Sequence, residues 1–203
     1  MAQTGEGGRG ADGGTASRIL DSAERLVQQR GFNGFSYADV ATELGVTKAS
    51  LHYHFPGKAE LGEALIGRYA DRFSTALAEI DAGPAGARER LRAYARLYRQ
   101  VLADRRMCLC GMLAAEYATL PEAMRAAVVR FFNENEAWLA DLLDAGRREG
   151  ELAFAGPPHE TARTLMAALE GAMLVARPYG DVARFDVAAK RLLAALEPAA
   201  PAA

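Results

Sequence analysis

Thr47, Lys48, Ser50, His52, Tyr53 and His54 place hydroxyls, a cation and two imidazoles within eight consecutive residues, interrupted only by Ala49 and Leu51. This mixture suits contact with nucleic acid, because hydroxyls and cations meet phosphates while small side chains let a helix approach base edges. Ala49 can touch a thymine methyl, and Ser50 can hydrogen-bond to either kind of base. The hydroxyls of Tyr37, Thr47 and Tyr53 and the cations of Lys48 and Lys58 are candidate phosphate contacts, with the imidazoles of His52 and His54 on the flanks. Such contacts fix register and carry little sequence information.

The elements that must hold these residues are legible from their end signals. Ser36 followed three residues later by Asp39 forms a capping box and starts a short helix. Val40 and Leu44 face inward on that helix, Ala41 permits a close helix crossing, and Gly45 stops it. Thr47 then caps a second helix to about residue 55, whose inward face carries Leu51 and Phe55. Ala49, Ser50 and Tyr53 point the other way at roughly 100° per residue. Two helices around a glycine turn, the second with a small polar outer face, form a helix-turn-helix that presents its second helix to a major groove.

The stretch GVTKASLHYHFPGK, preceded by FSYADVA, resembles the DNA-binding signature of the TetR/AcrR family of bacterial repressors, over about residues 19–65. The resemblance implies an all-α homodimer with a three-helix DNA-binding domain and a larger helical domain for ligand binding and dimerisation. It places Ser36, Tyr37, Lys48, Ser50, Tyr53, His54 and Lys58 at family DNA-contact positions. His52 stands where the family often has tyrosine, and Ala38 where some members carry a basic residue, so base preference does not carry over.

Composition agrees with a folded regulator and excludes a nonspecific DNA coat. The chain has 203 residues, half of them apolar, and a net charge of −2. Residues 16–58 carry five Lys/Arg (Arg18, Arg25, Arg30, Lys48, Lys58) against four acids (Asp21, Glu24, Asp39, Glu43). So small a surplus favours two DNA-binding heads in one dimer over tight binding by a monomer. There is no apolar run of 18 residues and no signal-peptide pattern at the N-terminus, which makes the cytoplasm the expected compartment and a membrane partner unexpected.

The glycine-rich residues 1–15 read as a disordered tail, residues 16–60 as the DNA-binding domain and residues 61–198 as the effector and dimerisation domain, about nine helices in all. Gly5, Gly7 and Gly10 match a dinucleotide fingerprint, but no strand precedes them. The first helix is expected over 17–30, and a long fourth helix from Lys58, with Leu61, Leu65, Tyr69 and Phe73 on one side, is a natural lever. Further helices are expected over 88–103, 110–118, 121–148, 160–177 and 182–196. The wide apolar stripes of the last two, Leu165, Met166, Leu169, Ala172, Met173 and Ala176, then Phe185, Ala189, Leu192 and Leu196, are expected to pair with a second subunit in a four-helix bundle.

A small effector, largely apolar or electrophilic, is expected between the C-terminal helices, with Met107, Cys108, Met112, Tyr117, Phe131, Asn135, Trp138, Met166, Leu169, Glu170 and Met173 as candidate lining. Asn135 stands out because an amide on an apolar stripe needs a partner once buried. Cys108 and Cys110 lie some 200° apart on a helix, too divergent to bridge each other, and two cysteines make no metal site. Cys108 as a redox- or electrophile-sensing thiol on the same scaffold is an alternative, and a helical enzyme or adaptor a more remote one. Glu116, Glu134, Glu136 and Glu170 are the carboxylates an enzyme would need to bring together, but no catalytic or cofactor motif accompanies them.

Overall fold

The computed structural model describes residues 8–198, and every regular element among them is helical. The head consists of α1 (Gly8–Arg30), α2 (Tyr37–Leu44) and α3 (Lys48–His54). The body consists of α4 (Lys58–Ala82), α5 (Ala87–Ala103), α6 (Leu109–Ala115), α7 (Glu122–Arg148), α8 (Pro158–Ala176) and α9 (Val182–Ala194), with single 3-10 turns at Tyr117–Thr119 and Arg177–Tyr179.

Helix α1 begins at Gly8, well before the expected start near residue 17, so much of the presumed tail is helical. Extending a formed helix adds one hydrogen bond per residue fixed and needs no new nucleus, which lets even a glycine-rich segment follow. Gly5 and Gly7 lie outside the described residues. The expected sixth helix is divided: α6 ends at Ala115, and the chain tightens into the Tyr117–Thr119 turn.

The helix-turn-helix forms by the signals read above. The Asp39 carboxylate accepts from the Ser36 amide at 2.7 Å and from its hydroxyl at 2.6 Å. Gly45, at φ +66, closes α2 in the left-handed region that a side chain rarely enters. Thr47 caps α3 by accepting from the Ser50 amide at 3.2 Å. Leu51 and Val40, both fully buried, pack this unit against Ile19, Ala23 and Val27 of α1.

One contiguous core runs from Ile19 in the head to Leu196 behind α9. Within the body, α8 packs on α7 and α9, while α4 lies against α7 and α5. The stripes assigned to a partner subunit are mostly monomer core: Leu165, Leu169, Met173, Ala176, Phe185, Ala189 and Leu196 are buried in a single chain. They pack inward because α8 and α9 each meet helices of their own subunit, α7 and α5 respectively. The apolar side chains those two helices leave in water are Leu174, Val175 and Val187, each about 60% exposed.

Candidate DNA-reading surface and effector core

Helix α3 turns Leu51 inward and leaves Lys48, Ala49, His52 and Tyr53 exposed, with Ser50 and His54 half-buried. Tyr53 is 74% exposed, its ring edge-on to that of His54. His52 is partly committed: its Nδ1 lies 2.9 Å from the Pro56 carbonyl and its ring leans on Tyr37. A carbonyl only accepts, so Nδ1 carries a hydrogen and donates.

Two residues expected at phosphates do other work. The Tyr37 hydroxyl reaches the carbonyls of Phe55 at 2.9 Å and Gly57 at 2.6 Å, tying α2 to the α3–α4 connection. Burial, seconded by the charge of Glu60, pushes its pKa up to about 12. Lys58 lies over the rings of Phe32 and Phe35 and donates to both of their carbonyls, at 2.5 and 2.6 Å. Burial lowers its pKa against the opposing pull of Glu116 and Asp39. A cation held by two carbonyls and two rings organises the loop after α1 instead of reaching outward.

That loop is gripped from the body as well. Gly31, at φ +85, turns the chain after α1 so that the Glu116 carboxylate accepts from the Phe32 amide at 2.5 Å and the Asn33 amide at 3.2 Å. A Cβ at Gly31 would stand 2.8 Å from Glu116 Oε1 and would push the carboxylate off these amides, on a backbone at positive φ that side chains rarely adopt. Asn33 donates its side-chain amide to Thr119 at 2.7 Å. The last carbonyls of α1 are also taken by the body: Gln28 accepts from the Met107 amide at 3.2 Å, and Gln29 from Arg177.

Helix α4 is bound to the head by charge. Arg68 donates to Asp21 at 2.8 Å and to Glu24 at 3.0 Å, and Arg72 grips the same buried Glu24 at 2.5 Å. Helix α4 is therefore tied by its middle to α1 of the head while it packs along α7 of the body.

The expected lining residues do not surround one cavity. Met107, Cys108, Leu169 and Met173 are buried core, Met112 accepts at its sulfur from Arg177, Met166 packs half-buried, and Tyr117 lies exposed beside Arg125. Phe131, Asn135 and Trp138 do meet, in a cleft of about 270 Å³ between α4 and α7. The enzyme-like convergence of carboxylates fails: Glu116 holds the loop, Glu136 pairs with Arg163, Glu134 is exposed and Glu170 is internal.

Glu170 is the chemically unusual member. The stem of Glu170 is partly exposed, but its Oε1 is fully buried without a partner, and burial raises its pKa to about 7. The Cys108 thiol is the neighbour that offsets part of this rise, and it accepts from the Tyr69 hydroxyl at 3.6 Å. Gly111 is the close approach that admits the group, since a Cβ there would stand 2.5 Å from Glu170 Oε2. Burial and the adjacent carboxyl push the Cys108 thiol pKa well up, and Cys110 is also buried and raised. Both sulfurs are free thiols, and a sensing role for Cys108 requires this packing to open first. Tyr94 and Tyr98, buried with Tyr69, share a hydroxyl hydrogen bond at 2.8 Å; a buried hydroxyl that must find a partner was the available signal for this polar centre.

Residues 19–65 match the model described as bacterial regulatory proteins, tetR family, and residues 87–192 match the tetracyclin repressor-like C-terminal domain. The chain belongs to the TetR family of bacterial regulatory proteins. It is 31% identical over 170 residues to the HTH-type transcriptional repressor NemR of Escherichia coli, covering 80% of this chain and 84% of that one. It is also 30% identical over 166 residues to the transcriptional regulator AcuR of Cereibacter sphaeroides, covering 79% and 75%. Among solved structures, a TetR-family regulator from Agrobacterium tumefaciens superposes with a TM-score of 0.89 at 33% identity, covering 92% of this chain and 100% of that one. The TetR-family assignment makes this chain a DNA-binding transcriptional regulator with its helix-turn-helix in α2 and α3. Among the described residues, no helix is long and apolar enough to cross a membrane.

Proposed function

We propose that this TetR-family protein represses transcription in the cytoplasm as a homodimer, each subunit laying α3 in one major groove of a pseudo-palindromic operator. Two heads about 34 Å apart read successive grooves on one side of the duplex. Thr47, Lys48, Ala49, Ser50, Tyr53 and His54 are the contacts, with Ser36 and His52 at the edges, whereas Tyr37 and Lys58 act by shaping the platform. The observation that carries this reading is the face of α3: Tyr53, a large aromatic 74% exposed, stands beside exposed Lys48 and Ala49 on a helix otherwise anchored inward by Leu51.

A small-molecule effector in the body releases the operator. Support for this coupling comes from Glu116, which follows α6 and grips the loop at the end of α1, and from α4, which is shared between head and body. An effector that prefers a shifted α4–α7 arrangement tilts the head and spoils the spacing; a coupling of about 1 to 3 kcal/mol changes operator affinity roughly 5- to 150-fold. Dimerisation through α8 and α9 is supported by Leu174, Val175 and Val187, which a single subunit leaves in water.

The test is a gel mobility shift with DNA from beside the protein's own gene. The wild-type chain should give a discrete, salt-sensitive shift, and Tyr53→Ala or Lys48→Ala should weaken it by tenfold or more. A chain that shifts no DNA flanking its gene, at any salt, rejects the proposal.

A further inference from the structure

The cleft between α4 and α7 has a composition that narrows the effector. Its floor is aromatic: Phe73, Phe131 and Trp138, with the Phe73 and Phe131 rings 5.3 Å apart edge to face. Its polar lining is acceptor-rich. Asp81 and Glu134 supply carboxylates, and neither Lys nor Arg lines the cleft. Asp81 accepts from the Trp138 indole at 2.7 Å and has Arg90 at 3.7 Å, while Glu134 is exposed and has no partner among the described residues.

Asn135 supplies the independent observation. It is 2% exposed, and its side-chain amide donates to the Phe131 carbonyl at 2.8 Å. This bond fixes the orientation of the group, because the flipped amide would set two acceptors face to face. The acceptor Oδ1 is left buried and unpartnered. Leaving a buried acceptor unpaired costs about 1 to 3 kcal/mol, a cost that a ligand with an N–H donor removes on binding. Aromatic faces attract cations, tryptophan most strongly, and carboxylates at the mouth do the same at longer range.

We propose that this cleft binds an organic cation bearing N–H donors, an arylalkylammonium or amidinium, with Asn135 Oδ1 accepting one N–H, Phe73, Phe131 and Trp138 against its faces, and Glu134 and Asp81 compensating its charge. The proposal rests on the regulator reading only in making that cation the effector. A ligand in this position separates α4 from α7, and α4 is the helix whose middle is ion-paired to the head. An anion of the same shape meets two carboxylates and an unpaired acceptor, and is excluded.

Trp138 is the only tryptophan of the chain and stacks on Tyr94 at 5.5 Å, so its fluorescence reports the site directly. The full-length protein is titrated with benzamidine and phenethylamine, both protonated at neutral pH, and in parallel with benzoate and benzyl alcohol. The expected result is a saturable Trp138 change with the two cations and none with benzoate. Glu134→Lys, at an exposed position, should weaken cation binding by about tenfold or more without changing the melting temperature. Asn135→Leu should do the same where it folds. The absence of a saturable change with either cation at millimolar concentration overturns the proposal, as does an equal response to benzyl alcohol that Glu134→Lys leaves untouched. Retesting each bound cation for operator release separates the two readings. Binding without release overturns the effector role, while a ligand-free protein that fails to shift DNA defeats the regulator reading and leaves the cleft judged by fluorescence alone.

Discussion

Glu116 and Phe32 are 84 residues apart in sequence, yet the carboxylate of the first accepts the backbone amide of the second at 2.5 Å. The same carboxylate takes the next amide, that of Asn33. This contact spans the boundary between the body and the head, and it lands on the loop that Lys58 clamps from its other side. Removing it should separate effector binding from DNA release. Glu116→Ala leaves two amides without their charged acceptor, a loss of about 1.5 to 3 kcal/mol per bond at the strong end. A lower melting temperature is expected, together with an effector response in operator affinity reduced at least severalfold. Melting by circular dichroism and operator titrations with and without effector check both; an unchanged effector response would show that the signal travels elsewhere.

Lys48 and Lys58 look equivalent in sequence and should behave differently on DNA. Each phosphate neutralised lowers the slope of log affinity against log salt by about 0.9. Lys48→Ala should therefore flatten the salt dependence by about one unit per subunit, as expected for a lost phosphate contact. Lys58→Met should leave the slope unchanged and lower the melting temperature instead, because the loop carbonyls of Phe32 and Phe35 lose their donor. Tyr37→Phe belongs with Lys58→Met, costing roughly 1 kcal/mol of stability for one hydroxyl bond. Operator affinities measured over a range of salt distinguish the two classes.

This contrast marks the limit of what the sequence makes visible. Caps, turn and inward stripe are local patterns, so α2 and α3 are legible to within a residue or so from Ser36, Asp39, Gly45 and Thr47. Whether a lysine at the start of the next helix faces a phosphate or two carbonyls depends on where Phe32 and Phe35 lie, and spacing along α4 does not encode that. The same holds for Glu170, whose buried neighbours Tyr69 and Cys108 come from two other segments, and for α8 and α9, whose stripes are wide enough to serve either a core or an interface. Asn135 was legible because an amide within the stripe of Phe131 and Trp138 violates the local pattern. That violation persists in the fold as an acceptor without a donor.

Glu170 makes stability depend on pH. Its pKa rises from the ordinary 4.5 of a glutamate to about 7 in the folded chain, so between those values the folded state holds more of this proton than the unfolded state. Stability therefore falls as pH climbs from about 4.5 to about 7 and stays lower above it, by an amount on the order of 3 kcal/mol at most. Glu170→Gln keeps the shape and removes the titration. Its melting temperature should change less between pH 5 and pH 8 than that of the wild type, with the gain over wild type largest at pH 8. Parallel pH-dependent slopes for the two proteins would place the carboxyl in water.

The dimer contact should be separable from the subunit fold. Val187 is 63% exposed on α9 and Leu174 61% exposed on α8, whereas Phe185, two residues from Val187, is fully buried. Val187→Asp adds a charge that water solvates in the isolated subunit, so helicity and core packing should persist. In a dimer closed through this face, two-fold symmetry sets the same patch on both subunits, so the substitution introduces two charges into one apolar contact, each costing several kcal/mol unless it finds a partner. Sedimentation at micromolar concentration should show the wild type at twice the chain mass of 21.7 kDa and the variant at the single-chain mass. Operator affinity should fall with it, because one head alone brings only its own few phosphate contacts to the duplex. A variant that stays dimeric with intact operator binding places the subunit contact away from α8 and α9.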